Sequence, residues 1–440
     1  MTQALKSVDQ IPTVEYTPES LYNRLPQFVA WARELGPVVK QDWPDGGRVV
    51  YLIGAEANKL VMQSQREQFS HDLGWTPNIG ETLGKGLLNM DPPEHDRHRK
   101  MMNPAFAIAY MSRYLPVMNR LISERARDWV ERGEVDLFEE TRKITFDVAA
   151  ETLVGFRAGP QVDLLRELFF KLINGDGQQF ASEAEWMQSV LPIRDRLMGE
   201  LVRLIEARRG IPADDRSDIL AMMVNARDED GNGLSVEQML GHVNILLVAG
   251  HETTTTLSAW LLYLLSTHPQ QLAVVQAEVE ALAGREGEIT LEAVRAMKQL
   301  GYAVQEAGRM YPPVAMVPRG VLEDVEFGGY LLPKGTFVFL PIGAAHWDAA
   351  IFPNPERFEP ERFAPPREED KRTPYALATF GGGPRICIGV NFARVEVTAM
   401  AAEILRRFTL TPVAPEEVRQ IYPGIIGQPE KGIRVRVEAR

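Results

Sequence analysis

The segment Phe380-Gly381-Gly382-Gly383-Pro384-Arg385-Ile386-Cys387-Ile388-Gly389 constrains this chain more than any other. It holds the one cysteine among 440 residues, so no internal disulfide can form, and the cysteine count fits a reducing compartment. Three consecutive glycines let the backbone reach φ > 0 and approach a flat ligand closely. Helical periodicity starts near Asn391, so Cys387 stands just ahead of a helix N-terminus. There the dipole and free N–H groups favour a thiolate. Arg385, two residues earlier, adds a positive charge suited to a carboxylate. A lone cysteine is more often a small buried hydrophobe; this loop argues otherwise. Zinc sites fail on arithmetic. A structural site needs more Cys or clustered His, and His251-Glu252 lacks the second His of a metalloprotease helix because Thr255 stands in its place.

Ala249-Gly250-His251-Glu252-Thr253-Thr254-Thr255-Thr256 interrupts a long apolar helical pattern, Ser235–Thr267. In a helix interior Gly costs about 1 kcal/mol and Thr some tenths of that relative to Ala. Such a run inside a core helix marks a functional site, and the Thr hydroxyls can bond back to the preceding turn. Glu252 followed by Thr253 puts an acid beside an alcohol, a pair able to hold water and relay protons into a dry pocket. Standing alone, the segment would read as a polar stripe against solvent or another helix.

His95 and Arg99 are four apart and share a helix face. Asp91 as cap, Pro92 as first residue and Glu94 completing a capping box predict where that helix starts. With Asp96, Arg97, His98 and Lys100 around them, they also match a solvated charged face. Glu306 and Arg309 form an i, i+3 pair, ordinarily a surface feature.

The periodicity predicts a mainly α chain with a small β region. A short helix is expected near Glu19–Leu35 and a strand at Val49–Ile53. Helices follow at Arg113–Arg132, Phe138–Gly155, Val162–Asn174, Trp186–Arg208, Ser235–Thr267 and Leu291–Met310, with a loop at Asn225–Gly233. Val314–Pro341 reads as short strands with turns at Gly328-Gly329 and Pro333-Lys334-Gly335. Ala344–Tyr375 reads as coil, Asn391–Phe408 as a last helix and the tail as short strands, with no parallel-sheet rhythm. No repeat or linker appears, so one domain, 1–440, is expected.

Phe380 to Gly389 matches Phe-x-x-Gly-x-Arg-x-Cys-x-Gly throughout, and in this it resembles the haem-binding loop of the cytochrome P450 family. A thiolate is one of the few axial ligands proteins give haem iron, and it assists O–O cleavage. Ala249–Thr254 resembles the oxygen-activating helix of the same family, Ala-Gly-x-Asp/Glu-Thr-Thr. The resemblance implies the P450 fold, with haem b (iron protoporphyrin IX) between that helix and the Cys loop. It implies Cys387 as metal ligand, Gly250 making room for O2, Thr253 bonding the dioxygen and Glu252 feeding protons. Ala249, Phe380 and Gly389 would border the haem. His95, Arg99, Arg319 and Arg385 would hold its propionates. Glu306-Ala307-Gly308-Arg309 resembles the family's structural Glu-x-x-Arg motif, and Pro360-Glu361-Arg362-Phe363 its partner segment, so Arg362 should complete a buried triad. The motifs occur in family order from 91 to 389.

The implied reaction inserts one atom of O2 into a C–H or double bond of a hydrophobic small molecule: a fatty acid, terpenoid or steroid-like compound. By family alignment Trp75, Leu87, Leu88, Val314, Met316, Val317, Ile425 and Ile426 would line its pocket; each is equally an ordinary core residue. The sequence runs only to Arg440 after the cysteine loop, so no fused reductase is expected; electrons would come from a ferredoxin or flavodoxin with its NAD(P)H reductase. Net charge −12 argues against nucleic-acid binding. The start MTQALKSVDQIPTVEYTPES lacks a signal-peptide pattern, and no clean apolar run spans a bilayer, so a cytoplasmic monomer without membrane attachment is expected. Two rivals remain. A peroxide-using or rearranging haem-thiolate enzyme often lacks the acid–alcohol pair, and a haem sensor or electron carrier has no use for a proton relay.

Overall fold

The computed structural model describes residues 5–15, 24–43, 46–156, 159–174, 183–209 and 218–440. The N-terminal part holds α1 (Leu25–Leu35), β1 (Val38–Asp42), β2 (Arg48–Leu52), β3 (Phe69–Ser70) and α2 (Asp72–Leu83). Residues 19–23 of the expected first helix lie outside the described residues. β1 went unread because its burial runs Val38 to Gln41 without alternating, so it lacks the period-two signature.

The helical body follows. It comprises α3 (Glu94–Met102), α4 (Ile108–Arg125), β4 (Glu134–Asp136), α5 (Leu137–Val154), α6 (Pro160–Asn174), α7 (Glu183–Arg208), α8 (Val236–Thr267), α9 (Pro269–Ala283) and α10 (Lys298–Met310). After β5 (Val317–Val321) and β6 (Phe337–Leu340) come α11 (Val390–Arg407), β7 (Phe408–Pro412) and β8 (Arg434–Ala439).

Local chemistry sets the ends of the central helices. Ser235 caps α8 in a capping box, its Oγ accepting from Gln238 N at 3.1 Å while Gln238 Oε1 accepts from Ser235 N at 3.0 Å. Asp136 caps α5 by accepting from Phe138 N, and Gly155 ends it with φ 74°. α8 is buried along most of its length against α5, and Trp260 in its C-terminal half stacks on Tyr311 with ring centroids 3.8 Å apart. This apolar body supports everything described below.

Three sequence-based boundaries change. The expected helix Leu291–Met310 is two, Leu291–Ala296 and α10, because Met297 takes φ −71°, ψ 79°. The expected Arg113–Arg132 helix begins at Ile108, ends at Arg125 and is followed by a separate turn, Trp129–Arg132. Asp91 does not cap α3, which starts at Glu94. Its carboxylate accepts instead from Ser70 Oγ and from His71 N at 2.7 Å, and Glu94 pairs with Lys85.

The larger sheet has the order β1-β2-β6-β5-β3 and includes one parallel pair, Val50↔Val338 between β2 and β6. β4, β8 and β7 form a smaller antiparallel sheet. Among the described residues no helix is long and apolar enough to cross a membrane.

Candidate active site

The Cys loop folds on its own backbone: Cys387 N–H donates to Phe380 O at 2.9 Å. Gly381 and Gly383 take φ 70° and 62°, conformations that L side chains rarely adopt. The tight approach differs from the expected one, because a Cβ on Gly383 would meet Met62 O at 2.2 Å and one on Gly382 would meet the Tyr375 ring at 2.5 Å. The glycines therefore let the loop sit against its protein support. Gly389 leaves its neighbour uncrowded; a Cβ there would stand 3.9 Å from Cys387 Sγ. Cys387 is accessible at the head of α11. Burial of the loop pushes its thiol pKa up, while the Gly389 N–H and the Arg99 cation pull it down.

α8 presents an accessible stripe. Ala249 is exposed and Leu246, Gly250 and Thr253 are partly exposed in a stretch, 241–262, that is otherwise buried, which is one face at helical spacing. Thr253 Oγ1 donates to Ala249 O at 2.6 Å. A Cβ on Gly250 would stand 3.4 Å from Leu153 Cδ1 of α5, an ordinary contact. The Glu252 carboxylate reaches towards α5, with Oε1 3.5 Å from Arg142 Nε and 3.1 Å from His251 Nε2. Thr379, next to Phe380, bonds Gly308 O, and both it and Leu257 of α8 pack on Gly308, which draws the Cys loop alongside α8 one turn beyond Thr253.

Basic side chains converge nearby. Arg385 donates to Met90 O at 2.7 Å and lies 4.0 Å from Asp91. Arg99 donates to Ile386 O at 2.7 Å, tying α3 to the Cys loop. Arg319 is buried with Pro318 O as hydrogen-bond acceptor, while its Nε has none; burial and then the Arg385 charge push its pKa down to about 9. His95 is buried, bonds Asp96 at 2.7 Å, and burial leads in pushing its pKa down to about 4. His71 joins them: burial, then Arg319, Arg385 and His95, hold its pKa well below the ordinary range, and its Nδ1 has no partner. Arg99, Arg319 and Arg385 outnumber the carboxylates beside them, Asp91 and Asp96, and Asp91 is already bound by Ser70 and His71 N–H, while the two imidazoles stay neutral. A haem fits the set. It would bring two carboxylates to the orphaned Arg319 Nε and its neighbours, and an iron to the accessible sulfur.

Glu306, Arg309 and Arg362 come together at zero exposure. Arg309 bonds both Glu306 oxygens, at 2.7 and 2.9 Å, and Arg362 Nε bonds Oε1 at 2.9 Å. Glu369, unread in the sequence, accepts from Arg362 at 2.7 Å.

Of the expected pocket residues, Trp75, Leu88, Val317 and Ile425 form one apolar cluster with Ile79, Leu83 and Ile245. Val314 bridges Ile426, and Leu87 packs on the helical core. Met316 departs from this set. It alternates to the opposite face and packs with Phe28, Tyr51 and Phe339. Sequence reading missed His71 and Arg142; His71 follows a two-residue strand and has no periodic signal, and Arg142 reads as one more charge on α5.

The family model for cytochrome P450 matches residues 19–437. A putative cytochrome P450 120 of Synechocystis is 29% identical over 92% of this chain and 90% of that protein. A sterol 14alpha-demethylase of Mycolicibacterium vanbaalenii is 27% identical over 94% and 95%. The structure of retinoic acid-bound cyanobacterial CYP120A1 superposes with a TM-score of 0.86 at 27% identity, covering 99% of this chain and 100% of that one. With a cysteine loop, an accessible helix stripe and a basic nest in one P450-type scaffold, the chain belongs to the cytochrome P450 family and is a P450 monooxygenase.

Proposed function

We propose that Cys387 ligates the iron of haem b, that Arg319, Arg385, His95 and Arg99 hold its propionate side, and that Glu252 and Thr253 deliver protons. The observation that carries this is the stripe Leu246, Ala249, Gly250 and Thr253, accessible within a buried helix, together with the accessible Cys387. When bound, the haem supplies O2 activation and the insertion of one oxygen atom into the substrate, the other leaving as water. Thr253 Oγ1 can release Ala249 O and give or take a proton at the accessible face. Thr253→Ala is expected to keep haem and substrate binding while product per NAD(P)H falls about tenfold or more, the electrons leaving as peroxide. Unchanged coupling would remove Thr253 from the relay.

The substrate is a hydrophobic small molecule of the fatty-acid, terpenoid or steroid-like kind. The apolar cluster Trp75, Leu88, Val317, Ile425 and Ile245 supports this. So do two relatives, one solved with retinoic acid and one named for a sterol. A single domain, 1–440, would take electrons from a ferredoxin or flavodoxin with its NAD(P)H reductase. An optical spin-state screen of the holoenzyme against retinoids, sterols and fatty acids tests the pocket. A saturable shift with one class is expected, and no shift with any apolar compound would sink the substrate class. Turnover with peroxide but never with a reductase system would favour the peroxide-using reading.

A further inference from the structure

We propose that His251 is stored as an imidazolium that recharges Glu252 with protons, and that Arg142 positions the Glu252 carboxylate between the two. This rests on Glu252 and Thr253 forming the proton path.

The hydrogen bonds fix the protonation of the ring. His251 is 1% exposed. Its Nδ1 is 2.6 Å from Leu247 O, an atom that only accepts, so Nδ1 carries a proton. Its Nε2 is 3.1 Å from Glu252 Oε1. Burial alone would push the Glu252 pKa up, but the permanently charged Arg142 guanidinium, with Nε 3.5 Å from the same Oε1, favours the ionised carboxylate, which also only accepts. Both ring nitrogens then donate, which makes the ring a cation. Phe146 and Phe169 surround it, with ring centroids 5.1 and 6.5 Å away, and present aromatic faces or edges in place of competing donors. Among the described residues of α5, Glu140 holds Lys143 and Arg132. Asp147 of α5 binds Arg125 and Arg166 of α6, and Arg166 stacks over Phe146.

Arg142 approaches the same Oε1 from α5, its Nε at 3.5 Å. Its NH1 holds Glu139 at 3.0 Å and its guanidinium lies over the Phe138 ring at 4.3 Å. It also lines a surface cavity with Asp136, Glu139, Glu430 and Lys431. Solvent in that cavity reaches Arg142, the cation beside Glu252, while Thr253 lies on the partly exposed stripe of α8. In the transfer, the His251 Nε2–H bond breaks and an O–H bond forms on Glu252. Rotation of the Glu252 side chain away from α5 carries that proton to the Thr253 face; on its return the carboxylate takes a proton from water on the Arg142 side and passes it to His251 Nε2, so one solvent proton enters for each one delivered.

The test uses holoenzyme labelled with 15N-histidine, in the diamagnetic ferrous carbon-monoxide state. At pH 8, above the ordinary imidazole pKa of about 6.5, one histidine is expected to show both ring nitrogens protonated. Its signals should vanish in His251→Gln and turn neutral in Glu252→Gln. A neutral His251 in the parent would overturn the proposal. Coupling gives a second readout. His251→Gln keeps an N–H donor for Glu252 but has no proton to give, and His251→Phe keeps neither. Both are expected to lower product per NAD(P)H about tenfold, with the carbon-monoxide band intact. Parent-like coupling in His251→Gln would reduce His251 to a structural part and overturn its role. If Thr253→Ala and Glu252→Gln leave coupling unchanged, the proton path itself fails, an outcome distinct from the state of His251 seen by NMR.

Discussion

Cys387→Ser holoprotein is expected to lose completely the strongly red-shifted band of its reduced carbon-monoxide complex, and with it NAD(P)H-driven product formation. The substitution changes one atom. The contacts that shape the loop, Cys387 N–H to Phe380 O and Arg99 to Ile386 O, are made to the backbone and do not involve the sulfur. The glycines that seat the loop on Met62 and Tyr375 are untouched, as are Arg319, Arg385 and His95, so haem should still be retained. What is lost is a soft, electron-rich ligand. Even the thiol is disfavoured as an anion by burial here, offset only by the Gly389 N–H and Arg99. An alcohol in the same place has a far higher pKa and stays protonated. Measured absorbance of the reduced carbon-monoxide complex decides it, and a persisting band would move the ligand assignment away from Cys387.

The two functional segments were legible because each is local. The Cys loop is ten consecutive residues, and the α8 segment breaks helix propensity within two turns. What escaped is non-local. His71 and Asp91 find each other across 20 positions, and that pairing takes Asp91 away from the cap its sequence context predicted. Arg142 and Glu252 meet only because α5 lies along α8. α9 escaped for a different reason: it buries only Val275, Val279 and Ala283, a stripe too narrow to stand out as a period.

Glu306→Gln should be among the most destabilising single changes in the chain, at about 3–5 kcal/mol, because it leaves a buried cation without its counter-charge. The two arginines are not equally exposed to that loss. Arg362 keeps Glu369 at 2.7 Å, while Arg309 is left with carbonyl oxygens only, those of His346, Pro355 and Arg357. Arg362→Met should cost less, since Glu306 keeps its two bonds from Arg309 and Glu369 keeps Arg367. The damage from Glu306→Gln reaches the cysteine loop by a short path. Arg309 donates to His346 O at 2.8 Å, and the neutral His346 ring, its pKa pushed down to about 3 by burial and then Arg309, accepts Ala378 N–H at 2.9 Å on Nε2. Ala378 lies two residues before Phe380, the residue that receives the Cys387 N–H. Denaturant unfolding followed by haem absorbance should therefore give the order parent, Arg362→Met, Glu306→Gln, with haem content on purification falling in the same order. If Arg362→Met proves as damaging as Glu306→Gln, the loss lies in packing of the long side chain, and the unequal sharing of Glu369 has no energetic weight.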